Sequence, residues 1–268
     1  MDVAGRLRER VALVVGAGQT EGETIGNGRA TAIVLARAGA MVVVADRSLE
    51  SAQATADMII REGGAASAVE LEVTDDDAHR RVVNTITSQH GRLDILHNNV
   101  GVSIAGGDAD AVDITPDAFD HLWRVNLKGM WLAARHCLPV MRERGTGSII
   151  NISSMAARLG YPLVGYKTTK AAVLGLTENL ALTNARYGIR VNTIMPGLMN
   201  TPMAIEARVA QGTPRHDVIS QRDRRVPLGR KMGSAWDVAH AALFLHSDEA
   251  RFITGIALPL DGGTGLGG

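Results

Sequence analysis

Tyr166 and Lys170 stand four residues apart in GYKTTKAAV, a segment of helical period, so both side chains project from one helix face. A phenol with a reference pKa near 10 is a poor base at neutral pH; a neighbouring ammonium stabilises the phenolate and brings that pKa toward the working range. The pair is suited to moving a proton to or from an oxygen. Tyr161 has Gly165 four residues on and lacks such a partner. Twelve residues before Tyr166, the apolar run GSIINIS ends in Ser153 and Ser154, either of which can offer a hydroxyl to orient a substrate oxygen.

The elements that must position these groups follow from hydrophobic pattern. Short runs rich in Val and Ile at 10–15, 41–46, 66–71, 93–98, 147–152, 189–194 and 256–260 alternate with segments of helical period. The helical segments lie at 27–39, 48–62, 76–90, 117–143, 165–187 and 235–247. This alternation predicts an α/β chain built on a doubly wound, parallel, seven-stranded sheet of the Rossmann type, with helices on both faces. Residues 199–230 are polar, Arg-rich and poor in period, and read as an excursion from the sheet within one domain spanning 1–268.

At the first strand-to-helix turn stands GAGQTEGETIGNGRA, where a dinucleotide-binding chain holds its pyrophosphate. Gly16 follows the strand, while Gly26 and Gly28 flank Asn27 at the start of the helix. Asp46 ends the second strand, where a carboxylate accepts hydrogen bonds from the adenosine ribose and repels a 2'-phosphate. NAD is therefore expected over NADP, although Arg47 offsets part of the repulsion. The alternative for Asp46 is a cap on the next helix, a job that Ser48 can also do.

Composition excludes several classes. Lys plus Arg and Asp plus Glu each total 28, and there are three each of Trp, Tyr and Phe, so nothing favours nucleic acid. The lone Cys137 has no partner for a disulfide. No apolar signal core or membrane-length run is present, so a soluble, cytoplasmic protein with no membrane partner is expected.

Together the residues resemble the short-chain dehydrogenase/reductase family over essentially the whole chain. The resemblance rests on the Gly-rich turn, Asp46, NNVG at 98–101, VNLKG at 125–129, ISS at 152–154, YKTTK at 166–170, PGLMNTPM at 196–203 and DGG at 261–263, in order. It implies the strand order 3-2-1-4-5-6-7 and hydride transfer between NAD(H) and a secondary alcohol or ketone. Tyr166 would be the general acid/base, and Lys170 would tune it and bind the nicotinamide ribose. Ser154 would hold the substrate oxygen, and Asn126 would hold a water linking Lys170 to solvent. Asn98, Gly101 and Val73 would touch the cofactor. Thr201 with the Pro196, Gly197 and Leu198 backbone would hold the nicotinamide and its carboxamide. A homotetramer is also implied. Reduction of a 3-oxoacyl thioester uses the same residues but usually with NADPH, against Asp46, and a non-catalytic regulator has no need of the proton-transfer set.

Val100, Glu72 and Asn27 depart from the usual pattern without abolishing the chemistry. Relative to the family, six extra residues enter the turn within 19–24, and Glu21 and Glu23 are expected beside Asp46 against a 2'-phosphate. Enoyl-carrier-protein reductases also have longer turns, but they separate Tyr and Lys by more residues than YKTTK does.

Other residues have two readings. Met195, Met199 and Met203 would line a pocket or pack the core. Trp123 and Trp131, eight apart on one long helix, point to core or subunit contact. The histidines show no metal-ligand spacing. Arg158, Arg208, Arg215, Arg222, Arg224 and Arg225 include candidates for clamping an anionic substrate; the interleaved Glu206, Asp217 and Asp223 favour a solvated or intersubunit face instead.

Overall fold

A computed structural model describes residues 5–266; the first four residues of the N-terminal stretch and the last two of the Gly-rich tail lie outside it. The first half runs β1 (Val11–Val15), α1 (Asn27–Arg37), β2 (Met41–Asp46), α2 (Leu49–Arg61), β3 (Ala65–Glu70), α3 (Asp76–His90), β4 (Ile95–Asn98), α4 (Pro116–Trp123) and α5 (Gly129–Arg144). The second runs β5 (Gly147–Ile152), α6 (Val164–Asn184), β6 (Ile189–Pro196), β7 (Met199–Asn200), α7 (Pro202–Val209), α8 (Arg215–Asp223), β8 (Gly233–Ser234), α9 (Ala235–His246) and β9 (Ala257–Leu260). Seven strands form one parallel sheet in the order β3-β2-β1-β4-β5-β6-β9, and β7 pairs with β8 apart from it. This is the expected order, the seventh strand being β9 once the two short strands are counted.

Alternate residues of each central strand feed opposite layers, because side chains on a strand alternate faces. Val11, Leu13 and Val15 of β1 pack with Val82 and Ile86 of α3, Ala133 and Cys137 of α5 and Leu180 of α6. Ala12 and Val14 pack with Ile33 of α1, Ala56 of α2 and Leu243 of α9. Burial on both faces is what made these strands continuous apolar runs in the sequence. Helix ends obey local chemistry: Ser48 caps α2 by accepting the Ser51 N–H at 3.2 Å, and Gly91 closes α3 with φ 67°.

Two expectations need correction. The single helix over 117–143 is α4 and α5 joined by a π-helical turn at Arg124–Lys128, which carries Asn126. The π turn spans only five residues and the chain stays helical through it, so a coarse reading of period runs across it as one helix. The excursion is not devoid of regular structure: α7 and α8 form a helical hairpin around Ile205, Val218, Val226 and Met232. Each helix is short and buries little of itself, which hides the period among charged residues.

The turn after β1 depends on close backbone approach. Gly16 has φ 78°, and a Cβ placed on Gly28 would overlap the Gly16 carbonyl oxygen. Gly26 differs: its φ is −82°, and a Cβ there would meet only Gln19 Oε1, at 3.6 Å. Gly28→Ala is therefore expected to destabilise by about 3 kcal/mol or to prevent folding, as overpacking against backbone does. Gly26→Ala should stay within about 1 kcal/mol of wild type. Urea unfolding of the two variants checks this, and equal losses would contradict it.

Candidate active site

The N-terminus of α6 is held from a distance. The buried Asp108 carboxylate accepts the Gly165 N–H through Oδ1 and the Tyr166 N–H through Oδ2, both at 2.9 Å, and the Ser103 hydroxyl donates to Oδ2 at 3.3 Å. Two otherwise orphaned helix amides are thus satisfied by a charge placed where the helix dipole favours it. One turn on, Lys170 is buried and its ammonium donates to the Ile152 carbonyl at the end of β5, at 2.8 Å. Its Nζ lies 5.7 Å from the centre of the Tyr166 ring.

The two serines take different parts. Ser153 is buried and donates to the Lys170 carbonyl at 2.6 Å, so its hydroxyl is spent within the framework. Ser154 accepts the Ala156 N–H at 3.1 Å at a short 3₁₀ turn, and its hydroxyl stands near enough to the Tyr166 phenol to favour the phenolate. Tyr161 packs on the other side, its ring centre 5.6 Å from that of Tyr166.

Burial dominates the electrostatics. It pushes the Tyr166 phenol up to about 12, Ser154 acts against that rise, and Tyr161 and Asp108 add to it. Burial likewise brings the Lys170 ammonium down to about 7. The expected lowering of the phenol by Lys170 is thus absent in the chain alone: desolvation penalises both charged forms and keeps the phenol protonated.

Asn126 is fully buried; its Oδ1 accepts the Val102 N–H at 2.7 Å, and its Nδ2 donates to the Val102 carbonyl at 2.9 Å and to Thr169 Oγ1 at 3.1 Å. Its amide clamps the chain leaving β4 to α6. A Cβ on Gly101, in that same chain, would come within 3.0 Å of Lys170 Nζ.

At the β1–α1 turn, Asp46 accepts the Gly18 N–H at 3.0 Å and the Ser48 N–H at 3.2 Å, so it braces the turn while Ser48 does the capping of α2. A Cβ on Gly18 would lie 2.6 Å from that carboxylate. Arg47 is exposed beside it. Asn27 Oδ1 and Asn98 Oδ1 are buried and have no partner among the described residues, and Val73 is buried with its carbonyl bonded to His79 Nε2 at 3.0 Å. Beyond β6, Gly197 N–H donates to Leu260 at 2.9 Å, the Leu198 carbonyl accepts the Gly233 N–H at 3.1 Å, and Thr201 is buried at the start of α7. The Gly16–Gly28 cradle, the orphaned amide oxygens and the remaining acceptor capacity of Asp46 fit a dinucleotide lying across the strand ends.

Segment 19–24 departs from expectation. Gln19 donates to the Thr20 and Thr24 carbonyls at 2.9 and 2.8 Å and accepts the Gly26 N–H at 3.0 Å. Glu23 pairs with Arg215 of α8 at 3.1 Å, so its charge is answered there instead of standing free beside Asp46.

Sequence reasoning missed Asp108 and Gly18. Gly18 had a signal in its spacing from Gly16; Asp108 had none, since its partners lie 57 and 58 residues away. Of the other candidates, Met195 and Met199 are buried and Met203 is exposed. Arg158 is exposed on the loop before α6. His246 is buried against Ser148 at 3.0 Å while His240 is exposed, and among the described residues no three His, Cys, Asp or Glu side chains are grouped to hold a metal. Trp123 and Trp131 are both about two-fifths exposed and border an open groove of about 380 Å³ with Leu127, Lys128, Ala172 and Leu176. No described helix is long and apolar enough to cross a membrane.

Residues 22–265 match the family model described as Enoyl-(Acyl carrier protein) reductase. The chain is 37% identical to a 2,5-dichloro-2,5-cyclohexadiene-1,4-diol dehydrogenase of Sphingobium indicum, covering 99% of this chain and 100% of that one. It is 38% identical to a 4-formylbenzenesulfonate dehydrogenase of Comamonas testosteroni, covering 97% and 99%. The crystal structure of a putative short-chain dehydrogenase/reductase from Burkholderia xenovorans superposes with a TM-score of 0.91 at 37% identity, covering 98% of this chain and 99% of that one. With the Gly16–Gly28 turn at one end of the strand edge and Tyr166, Lys170 and Ser154 at the other, the chain belongs to the short-chain dehydrogenase/reductase family of oxidoreductases.

Proposed function

We propose that this protein is an NAD-dependent dehydrogenase that interconverts a secondary alcohol and a ketone, with Tyr166 as general acid/base. The observation that carries the reading is one cluster: a half-buried phenol fixed by Asp108 through its own amide, with the Ser154 hydroxyl near it and the Lys170 ammonium on the same helix face. When bound, the oxidised nicotinamide supplies a hydride-accepting carbon and a positive charge near the phenol. Ser154 orients the substrate oxygen. Tyr166 takes the hydroxyl proton as the alcohol is oxidised and returns it as the ketone is reduced. Lys170 holds the nicotinamide ribose and, near its own midpoint of about 7, passes the proton onward. Asn126 keeps Gly101 and Val102 against Lys170.

Gly16, Gly26, Asn27 and Gly28 would carry the pyrophosphate, and Asp46 the adenosine ribose, with Arg47 at its rim. Val73, Asn98 and Gly101 would flank the adenosine and the central ribose side; Thr201 with Pro196, Gly197 and Leu198 would hold the nicotinamide. Asp46 selects NAD because a 2'-phosphate would face its carboxylate. The four-residue Tyr–Lys spacing separates this reading from enoyl reduction, and Asp46 from an NADPH-using 3-oxoacyl reductase. The tryptophan-lined groove supports a homo-oligomer, a tetramer by family resemblance.

Absorbance at 340 nm with NAD or NADP and a panel of cyclic, aromatic, sugar-like and hydroxy-acid alcohols tests the reaction. Tyr166→Phe should lose at least about 100-fold in kcat while still binding NADH by fluorescence titration; wild-type turnover in that variant would overturn the mechanism.

Asp108→Asn has two expected effects. Placing an NH2 where one helix amide needs an acceptor should cost about 2 kcal/mol, roughly 4–8 °C in Tm. Removing the carboxylate charge should also move the acid limb of the alcohol-oxidation profile to lower pH, because Asp108 raises the phenol and the base form is the phenolate. A uniform loss of kcat with an unmoved limb would mean that the residue is purely structural. Trp131→Glu should reduce the oligomer in sedimentation velocity; an unchanged mass would place the subunit contact elsewhere.

A further inference from the structure

Acids are interleaved with the arginines of the α7–α8 hairpin, and each of three has a partner of its own. Glu206 bonds to Arg215 at 2.6 Å, Asp217 to His216 at 3.1 Å, and Asp223 accepts the Met232 N–H at 2.8 Å. Arg208, Arg222 and Arg225 are left with no carboxylate within 4.0 Å among the described residues.

Arg222 is the informative one. Its side chain is partly buried against the hairpin core, with Nε 3.3 Å from Met232 Sδ, and its terminal nitrogens have no hydrogen-bond partner among the described residues. Burial, helped by repulsion from the Arg208 and Arg225 guanidiniums, brings its pKa down to about 10. Asp223 and the Tyr161 phenol pull weakly the other way. A desolvated cation among like charges, with a free planar fork, gains most from an oxyanion that arrives from outside the chain. The place is also suitable: Tyr161 lies in the loop before α6, and its ring is 5.6 Å from the Tyr166 ring.

We propose that the substrate carries a carboxylate or sulfonate, gripped by Arg222 with Arg208 beside it, on the Tyr161 side of the carbon that reacts at Tyr166. This rests on the hydride-transfer reading above. The anionic group fixes which end of the substrate enters first, since only the opposite end can present its oxygen to Ser154 and Tyr166.

The test compares 3-hydroxycyclohexanecarboxylate with its neutral carboxamide as NAD-linked substrates. Wild-type kcat/KM should favour the carboxylate by about 10- to 100-fold, the worth of a charge-assisted hydrogen bond to a partly buried site. Arg222→Gln should bring the ratio to within about threefold of one, and Arg208→Gln should lower it by less; the second variant serves if the first fails to fold. Equal wild-type values, or a preference that survives both substitutions, would overturn the anion site and leave the hydride-transfer reading standing. Calorimetric titration of NAD-loaded protein with benzenesulfonate separates the opposite case. Binding that Arg222→Gln abolishes, with neither alcohol oxidised, would keep the anion site and overturn the reaction. Neither binding nor turnover would overturn both.

Discussion

Two reciprocal hydrogen bonds between β5 and α6 govern the geometry of everything around them. The Lys170 ammonium donates to the Ile152 carbonyl, and the Ser153 hydroxyl returns a bond to the Lys170 carbonyl. A buried ammonium is costly unless it is hydrogen-bonded, so this cation cannot turn away from the strand without losing its main protein partner. Its position fixes the rotation of α6 about its axis. That rotation carries Tyr166, one turn earlier, to the same side, toward Ser154, which follows Ser153 at the end of β5. Gly101 is bound by the same constraint, because a side chain there would press on the Lys170 ammonium.

The phenol itself sits under opposing influences, and the ranking decides its state. Burial is the largest, and it favours the neutral form. Asp108 works in the same direction, although its geometric service is to fix the helix end that carries Tyr166. Position and proton affinity are thus in tension at one residue: the cap that aims the phenol also makes it a weaker acid. Ser154 relieves part of this. On the proposed reading the rest comes from charge that arrives with the cofactor, so that the base forms only in the assembled complex.

Much of this was legible in the sequence for definite reasons. Strands buried on both faces are continuous apolar runs, so β1, β2 and β5 were placed to within a residue. Tyr166 and Lys170 are four apart, and a helix converts that spacing into a shared face. What stayed hidden was of another kind. Asp108 acts across 57 residues through backbone amides, which have no side-chain signature. The π turn at Arg124–Lys128 is a five-residue change of hydrogen bonding inside a continuous helical stretch, too short to show in the apolar pattern. The choice between Ser153 and Ser154 depended on which hydroxyl the Lys170 carbonyl takes, a tertiary fact. In the hairpin the sequence showed charges of both signs, but pairing depends on which of them meet.

That pairing gives α7–α8 its mechanical character. Arg215 binds Glu206 within the hairpin at 2.6 Å, and Ile205, Val218, Val226 and Met232 give it a small core of its own. Its polar link to the β1–α1 turn is of a different strength. Glu23 is about seven-tenths exposed where it meets the same Arg215, and an exposed ion pair contributes little and weakens with salt. The exposed Glu23 pair therefore contributes less to the placement of the hairpin than its apolar core contributes to its own integrity. Arg208 and Arg222 both stand on this unit. Segment 19–24, braced on its own side by Gln19, thus meets the arginine-bearing hairpin through an exposed ion pair that salt weakens while the bracing stays.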